Sequence, residues 1–328
     1  MSRAVWSELV PYDTLLSADV RRLLSDRELG VNVAVTPPQL ESIARVVATL
    51  VDDGRRVTVW PMLDHADGRW PSVHNAERFD AFVAEVLARL TTLPHAVALD
   101  FEPPIEELPG LIRLEPRALL GRWRRRGLAA KATAHFAALC TELHAHGLDT
   151  VAVTFPFSLE DDARAGWQRL FGTPLSGLPC RQVNAMLYTT MLEGYTRGVL
   201  DRRDARGLLS WWSASMRRRF GDRAAVSLGC VGPGILGDEP TYRSPEELTE
   251  DVAIARRAGV EQLVLFSLGG ALSRPPAEAW LDALVHTPAA MGVAPLTAKG
   301  RLVVGSLRAT ARGLGWIGAL RAAVDPSR

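Results

Sequence analysis

The 328-residue sequence predicts an α/β chain folded as a (β/α)8 TIM barrel with a C-terminal helical extension. Eight short apolar runs alternate with longer helical patterns. Glycines at 30, 54, 147 and 259 stand just before runs two, three, five and eight, as helix stops do. The first run leads into Pro11-Tyr12-Asp13-Thr14, not into the glycine-rich phosphate loop of an open doubly wound sheet. Residues 1–290 are read as the barrel and 291–328 as an amphipathic extension.

The strands are expected at Ala4–Val10, Val31–Val35, Val57–Met62, Ala96–Phe101, Thr150–Phe155, Gln182–Tyr188, Ala225–Cys230 and Gln262–Phe266. Each is brief and rich in Val, Leu, Ala or aromatic residues, as strands buried on both faces are. Helical spacing fills the gaps at Ser17–Ser25, Pro38–Asp52, Ala76–Leu90, Ala129–His146, Gly207–Arg219, Pro245–Ala258 and Pro276–Val285. Beyond Ala294 the alternation stops. Arg301–Val324 sets Val303, Leu307, Leu314 and Ile317 near one side and Arg308, Arg312 and Arg321 elsewhere. It is read as a helix docked on the barrel in preference to one lying on an anionic membrane surface.

Composition narrows the function classes. Formal net charge is +1 with no lysine-rich run, so nucleic acid is not expected as a partner. Cys140, Cys180 and Cys230 are too scattered for a disulfide framework or a metal knuckle and are expected reduced and buried. The first ten residues lack the apolar core of a secretory signal, so a cytoplasmic location is expected. Asp64, His65 and Asp67 lack the regular oxygen series of a divalent-cation loop, and neither a metal nor another cofactor is expected.

Chemistry concentrates at the fourth strand, where His95-Ala-Val-Ala-Leu-Asp-Phe-Glu-Pro-Pro104 delivers two carboxylates and stops. Asp100 and Glu102 share one face of the strand, with Cα atoms roughly 6.5 to 7 Å apart. Two such charges side by side raise at least one pKa, which suits a proton donor near neutral pH. Pro103 and Pro104 cannot donate to a ladder and end the strand. On a barrel the functional face lies at the strand C-termini. There the sequence places Tyr12 and Asp13, Thr36, Asp64 and His65, Phe155 and Phe157, Tyr188 and Thr189, Cys230, and Phe266 with Ser267. Acids mixed with aromatics are how sugar clefts are built. The loop Trp60–Pro71 adds Trp60 as a cleft-lining residue and Trp70 as a candidate sugar platform.

Three of these segments together resemble glycoside hydrolase family 18, the chitinase-like family. Ala98-Leu-Asp-Phe-Glu102 is similar to its fourth-strand Asp-x-Asp-x-Glu ending, with alanine for the first acid. Val183-Asn-Ala-Met-Leu-Tyr-Thr189 is similar to its sixth-strand Met-x-Tyr-Asp, with Thr189 for the aspartate. Leu265-Phe-Ser-Leu-Gly269 is similar to its eighth-strand Phe-Trp-Ser-Leu-Gly, with Phe266 for the tryptophan. The resemblance implies Glu102 as the general acid, Asp100 as the support of a substrate N-acetyl group acting as nucleophile, and Tyr188 as its hydrogen-bond donor. It also implies Phe266 as the stacking floor and Asn184 and Thr189 as further substrate-side positions. The departures leave two readings: a divergent hydrolase of N-acetylamino-sugar glycans, or a chitinase-like barrel that binds glycans without cutting them. A barrel enzyme acting on another small metabolite is the third alternative.

The remaining segments carry weaker signals. Glu239, beyond the seventh strand, is the alternative nucleophile of a conventional retaining glycosidase. Gly232-Pro-Gly-Ile-Leu-Gly237 imitates a phosphate loop but has no helix directly after it. Ser210-Trp-Trp-Ser213 is expected to pack one ring inward and one along the surface. Gly121-Arg-Trp-Arg-Arg-Arg126 is read as a solvated face.

Overall fold

A computed structural model describes residues 3–107, 110 and 129–324. The basic segment Gly121–Arg126 lies outside the described residues. Eight parallel strands close in sequence order into one barrel. They are β1 (Arg3–Ser7), β2 (Gly30–Val35), β3 (Val57–Pro61), β4 (Ala96–Asp100), β5 (Asp149–Thr154), β6 (Gln182–Met186), β7 (Ala224–Gly229) and β8 (Gln262–Phe266). β1 closes the ring against β8, with Trp6 opposite Phe266.

The expected strands all form, and two of them, β1 and β6, end more than one residue early for a local reason. β1 stops at Ser7 because Pro11 opens helix Tyr12–Leu15, whose Leu15 N–H bonds the Pro11 carbonyl at 2.9 Å. β6 stops at Met186 because Tyr188 is the N-cap of helix Thr189–Tyr195. The helix expected from Gly207 begins at Arg202 instead. There Asp201 accepts from the Asp204 N–H at 2.9 Å and Asp204 answers the Asp201 N–H at 3.2 Å, a reciprocal cap.

Strand alternation separates two cores. Outward residues such as Val31, Val33, Leu99, Phe101 and Leu263 pack under the helices; Phe101 meets Phe136 edge to face at 5.2 Å. Inward residues fill the lumen with a second cluster that includes Trp6, Trp60, Trp70, Ala96, Ala98, Val151, Val153 and Val264. The lumen also holds a polar chain, in which the Trp6 indole donates to Ser227 Oγ at 2.8 Å and that hydroxyl donates to Asn184 Oδ1 at 2.9 Å. The Trp6 indole, the Ser227 hydroxyl and Asn184 Oδ1 are satisfied by this chain, whereas Asn184 Nδ2 has no partner among the described residues.

Helix Ala298–Val324 docks on the barrel's outer layer. A third apolar cluster joins Trp167, Leu170 and Phe171 to Ala311, Leu307 and Leu314. Trp167 Nε1 donates to the Leu307 carbonyl at 3.0 Å, and Arg308 bonds buried Glu160 at 2.7 Å. The indoles of Trp211 and Trp212 donate to the other oxygen of Glu160 at 3.0 and 2.9 Å. Trp212 is fully buried and Trp211 half-buried, the division expected of the tandem pair. Among the described residues, no helix is long and apolar enough to cross a membrane.

Candidate functional site

The strand C-termini bring carboxyl groups from three separate parts of the chain into one electrostatic cluster. Asp100 ends β4 pointing inward, and Glu102 points the same way after the Glu102 N–H folds back on the Asp100 carbonyl at 2.9 Å. Phe101, between them, anchors in the outer core and fixes this alternation. Both acids are buried. Burial first, then the charge of Glu8, pushes Asp100 up to about 7, against the opposing effects of Glu102, the Arg69 charge and the nearby Trp60 indole. Glu102 is driven well above the ordinary carboxylate range by burial, Asp100 and Glu8, and by its hydrogen bond to Asp100. Both carboxyls are raised, so the pair holds a shared proton near neutral pH.

Glu8 and Arg69 belong to the cluster and escaped the sequence reading. Glu8 follows β1, and its Oε1 accepts from Arg69 Nη2 at 2.9 Å in a pair whose side chains are 4% and 6% exposed. Burial pushes Glu8 up, the Arg69 charge and hydrogen bond pull it down, and Glu239 pushes it up again. Arg69 sits at φ 64°, a left-handed conformation uncommon for a non-glycine residue. Its loop is tied down by Asn75, whose Nδ2 donates to the Asp67 and Trp70 carbonyls at 2.8 Å each. The one available clue was Arg69 lying within the Trp60–Pro71 loop; nothing local marks Glu8, which only barrel closure brings inward.

Tyr188 and Phe266 meet on the opposite side, with ring centroids 5.6 Å apart and planes tilted by 31°. Gly229 makes this possible, because a Cβ there would lie 3.1 Å from the Tyr188 ring and 3.2 Å from Phe266 Cβ. Burial, followed by Cys230, Asp100 and Glu102, raises the Tyr188 pKa, so the phenol stays a donor. Glu239 arrives from the loop after β7. Its Oε1 accepts from the Leu236 N–H at 2.9 Å, while Oε2 is buried with no hydrogen-bond partner among the described residues. The phosphate-loop look-alike is thus the wall that carries this acid. A Cβ on Gly234 would stand 2.9 Å from Glu239 Oε1 and 3.1 Å from the Phe266 ring, and no helix begins before Pro245.

Asp100, Glu102, Tyr188 and Phe266 are therefore brought together, and the other expected positions fall elsewhere. Thr189, expected on the substrate side, is fully buried, and its hydroxyl donates to buried Asp251, which Tyr242 and Arg206 also bind at 2.9 and 3.1 Å. Asn184, expected on the substrate side, lies two inward layers below Tyr188 on the Ser227 chain and lines a small internal cavity with Asn32, Thr58 and Gln182. Trp70 is 3% exposed in the lumen cluster, so it is not an open platform, although its Nε1 has no partner among the described residues. Trp60 packs edge to face on Trp6 at 4.7 Å under the acids. Asp64 is exposed at the start of the turn His65–Asp67. Among the described residues, no cluster of His, Cys, Asp and Glu is arranged to hold a metal. All three cysteines are buried and free, with Cys140 and Cys180 sulfurs 3.7 Å apart.

No protein-family model matches the chain, and no curated protein matches it. Solved structures resemble it in fold. The glycoside hydrolase domain of PgaB (BpsB) from Bordetella bronchiseptica superposes with a TM-score of 0.53 at 13% identity, covering 87% of this chain and 99% of that one. The catalytic domain of a hyperthermophilic chitinase from Pyrococcus furiosus gives 0.53 at 11% identity, covering 87% and 94%. A GH5-4 broad-specificity endoglucanase from Clostridium longisporum gives 0.50 at 10% identity, covering 86% of each chain. Identities this low establish the shared barrel and leave the chemistry to the residues at its mouth.

Proposed function

We propose that this barrel is a divergent glycoside hydrolase acting on glycans that contain N-acetylamino sugars. The observation that carries the reading is the buried, proton-sharing Asp100–Glu102 pair at the end of β4, faced by the Tyr188 and Phe266 rings. Structural neighbours described as a glycoside hydrolase domain, a chitinase catalytic domain and an endoglucanase share this fold, which supports the reading. In this scheme Glu102 gives its proton to the glycosidic oxygen as the bond to the anomeric carbon breaks. The acetamido carbonyl oxygen of the same sugar forms the new bond to that carbon, so the enzyme needs no nucleophile of its own. Ionised Asp100 stabilises the positive charge that builds on the acetamido group, and the Tyr188 hydroxyl holds its carbonyl oxygen. Glu102, now a carboxylate, takes a proton from the water that opens the intermediate, which restores the starting state.

The test compares wild type with Glu102→Gln on aryl N-acetylglucosaminides and chito-oligosaccharides, with binding measured in parallel. Turnover is expected to fall by about 10²- to 10⁴-fold, with affinity little changed. Equal turnover in the two proteins removes Glu102 from the reaction. A second reading, a glycan-binding barrel without turnover, draws on two departures: Ala98 leaves Asp100 without a lower acid partner, and Thr189 is committed to Asp251. Binding by wild type with no turnover on any of these substrates selects that reading.

A further inference from the structure

Helix Ala298–Val324 turns one face to the barrel and leaves the other bare. Val304 and Ala311 are buried, and Ala311, Leu307 and Leu314 pack in the cluster with Trp167 and Phe171. On the other side, Leu302, Ser306, Ala309, Gly313 and Trp316 recur at helical spacing on a single face, and all of them are exposed. Leu302 is 71% exposed and Trp316 56%, although Arg164 lies over the Trp316 ring at 4.4 Å and steadies it. Val199, whose carbonyl accepts from Lys299 at 2.9 Å, and Met291 and Val293, just before the helix, are exposed too. These five are most of the seven large hydrophobic residues exposed among the described residues, so the apolar surface is concentrated on this helix and the segments next to it.

The charge here has one sign. From residue 283 to residue 324 the sequence contains no Asp or Glu, while the helix carries Lys299, Arg301, Arg308, Arg312 and Arg321. The barrel answers two of these cations, Lys299 with Asp204 and Arg308 with Glu160. Arg301 and Arg312 are exposed and enter no ion pair among the described residues; Arg301 Nη1 reaches only the Leu296 carbonyl, at 2.7 Å. A second copy seated on this face would set arginine against arginine with no acid between them, which is repulsive. An anionic lipid surface attracts the guanidinium groups, takes up Leu302, and suits an indole with its apolar body and polar N–H.

We propose that the outer face of helix Ala298–Val324 docks the protein on an anionic lipid bilayer, with Leu302 and Trp316 entering the headgroup boundary and Arg301 and Arg312 pairing with lipid phosphates. The helix lies on the bilayer, since no described helix is long and apolar enough to cross one. Docking on the barrel and docking on lipid are compatible because they use opposite faces. The assignment is independent of the chemistry at the strand C-termini.

Flotation of the full-length chain with vesicles of phosphatidylcholine, alone or with about one third phosphatidylglycerol, tests this. The chain is expected to float with the anionic vesicles only, and to be released as ionic strength rises from about 0.1 to 0.5 M. Arg301→Gln and Arg312→Gln should each weaken partitioning about fivefold, and Leu302→Ser combined with Trp316→Ser should weaken it by about tenfold or more. Leu93→Ser, which alters an equally exposed apolar residue elsewhere, should float as wild type does. Every substitution is at an exposed position, and unchanged melting temperatures verify the fold; should the double variant melt early, the two arginine variants decide. No flotation with anionic vesicles, equal flotation with both kinds, or flotation unmoved by the arginine variants overturns the lipid surface. Concentration-dependent dimers in the absence of vesicles, lost in the Leu302→Ser, Trp316→Ser variant, overturn it in favour of a second copy.

Discussion

Replacing Arg69 by methionine removes the guanidinium that holds the acid cluster together, and the cost can be worked from the geometry. Arg69 Nη2 lies 2.9 Å from Glu8 Oε1, with both side chains almost wholly out of solvent. At an effective dielectric of about 20, two unit charges at that separation attract by about 6 kcal/mol. Desolvation offsets part of this, and removing one partner of a buried pair costs about 3–5 kcal/mol because the other charge is stranded. Against a total stability of about 5–15 kcal/mol, Arg69→Met should remain folded but with a much lower denaturant midpoint. The stranded Glu8 will take up a proton, so the deficit should narrow as pH falls toward the ordinary glutamate value of 4.5. Glu8→Gln added to Arg69→Met should recover most of the loss, because neither charge then remains. Urea denaturation of the wild type, both single variants and the double variant measures the coupling. A loss under about 1 kcal/mol for Arg69→Met, or a double variant no more stable than that single one, refutes a buried, energetically coupled pair.

Folding raises the pKa of Asp100 from 3.8 to about 7, so the folded state holds the extra proton. That contribution to stability is fully present below 3.8 and is lost as pH rises through about 7; thermal melts should decline across this window in wild type and flatten in Asp100→Asn. In the proposed reaction Asp100 acts ionised and Glu102 protonated, so the kcat/KM profile should rise near 7 and fall at higher pH; a bell centred in the acid range contradicts that proposal. Gly166→Ala would set a Cβ 2.2 Å from the Ala311 carbonyl oxygen, and the resulting strain of about 1–3 kcal/mol should make helix Ala298–Val324 the first segment cut in limited proteolysis. Digestion indistinguishable from wild type argues that this contact does not hold the helix.

Much of the barrel could be read along the chain because its causes are local. Val57–Met62 or Gln262–Phe266 is too short and too apolar to be anything but a buried strand between helical stretches, and the glycines before several strands mark where helices must stop. The helix starting at Arg202 was read five residues late, since its cap depends on Asp201 and Asp204 and not on apolar spacing. Asp100 and Glu102 were legible for the same local reason: two-residue periodicity puts both on one face of one strand.

Residue order by itself determined the fold class, the strand that bears the acids, and the two rings from β6 and β8 that face them. Only the tertiary structure decided which further groups act on those acids. Closing β1 against β8 and folding the loops after β3 and β7 over the mouth bring Glu8, Arg69 and Glu239 into the site from distant parts of the chain. The same closure turned Thr189 toward Asp251, kept Asn184 in the lumen and buried Trp70. Burial and electrostatic coupling depend on distance in space, and proximity along the chain encodes that distance only within a single element.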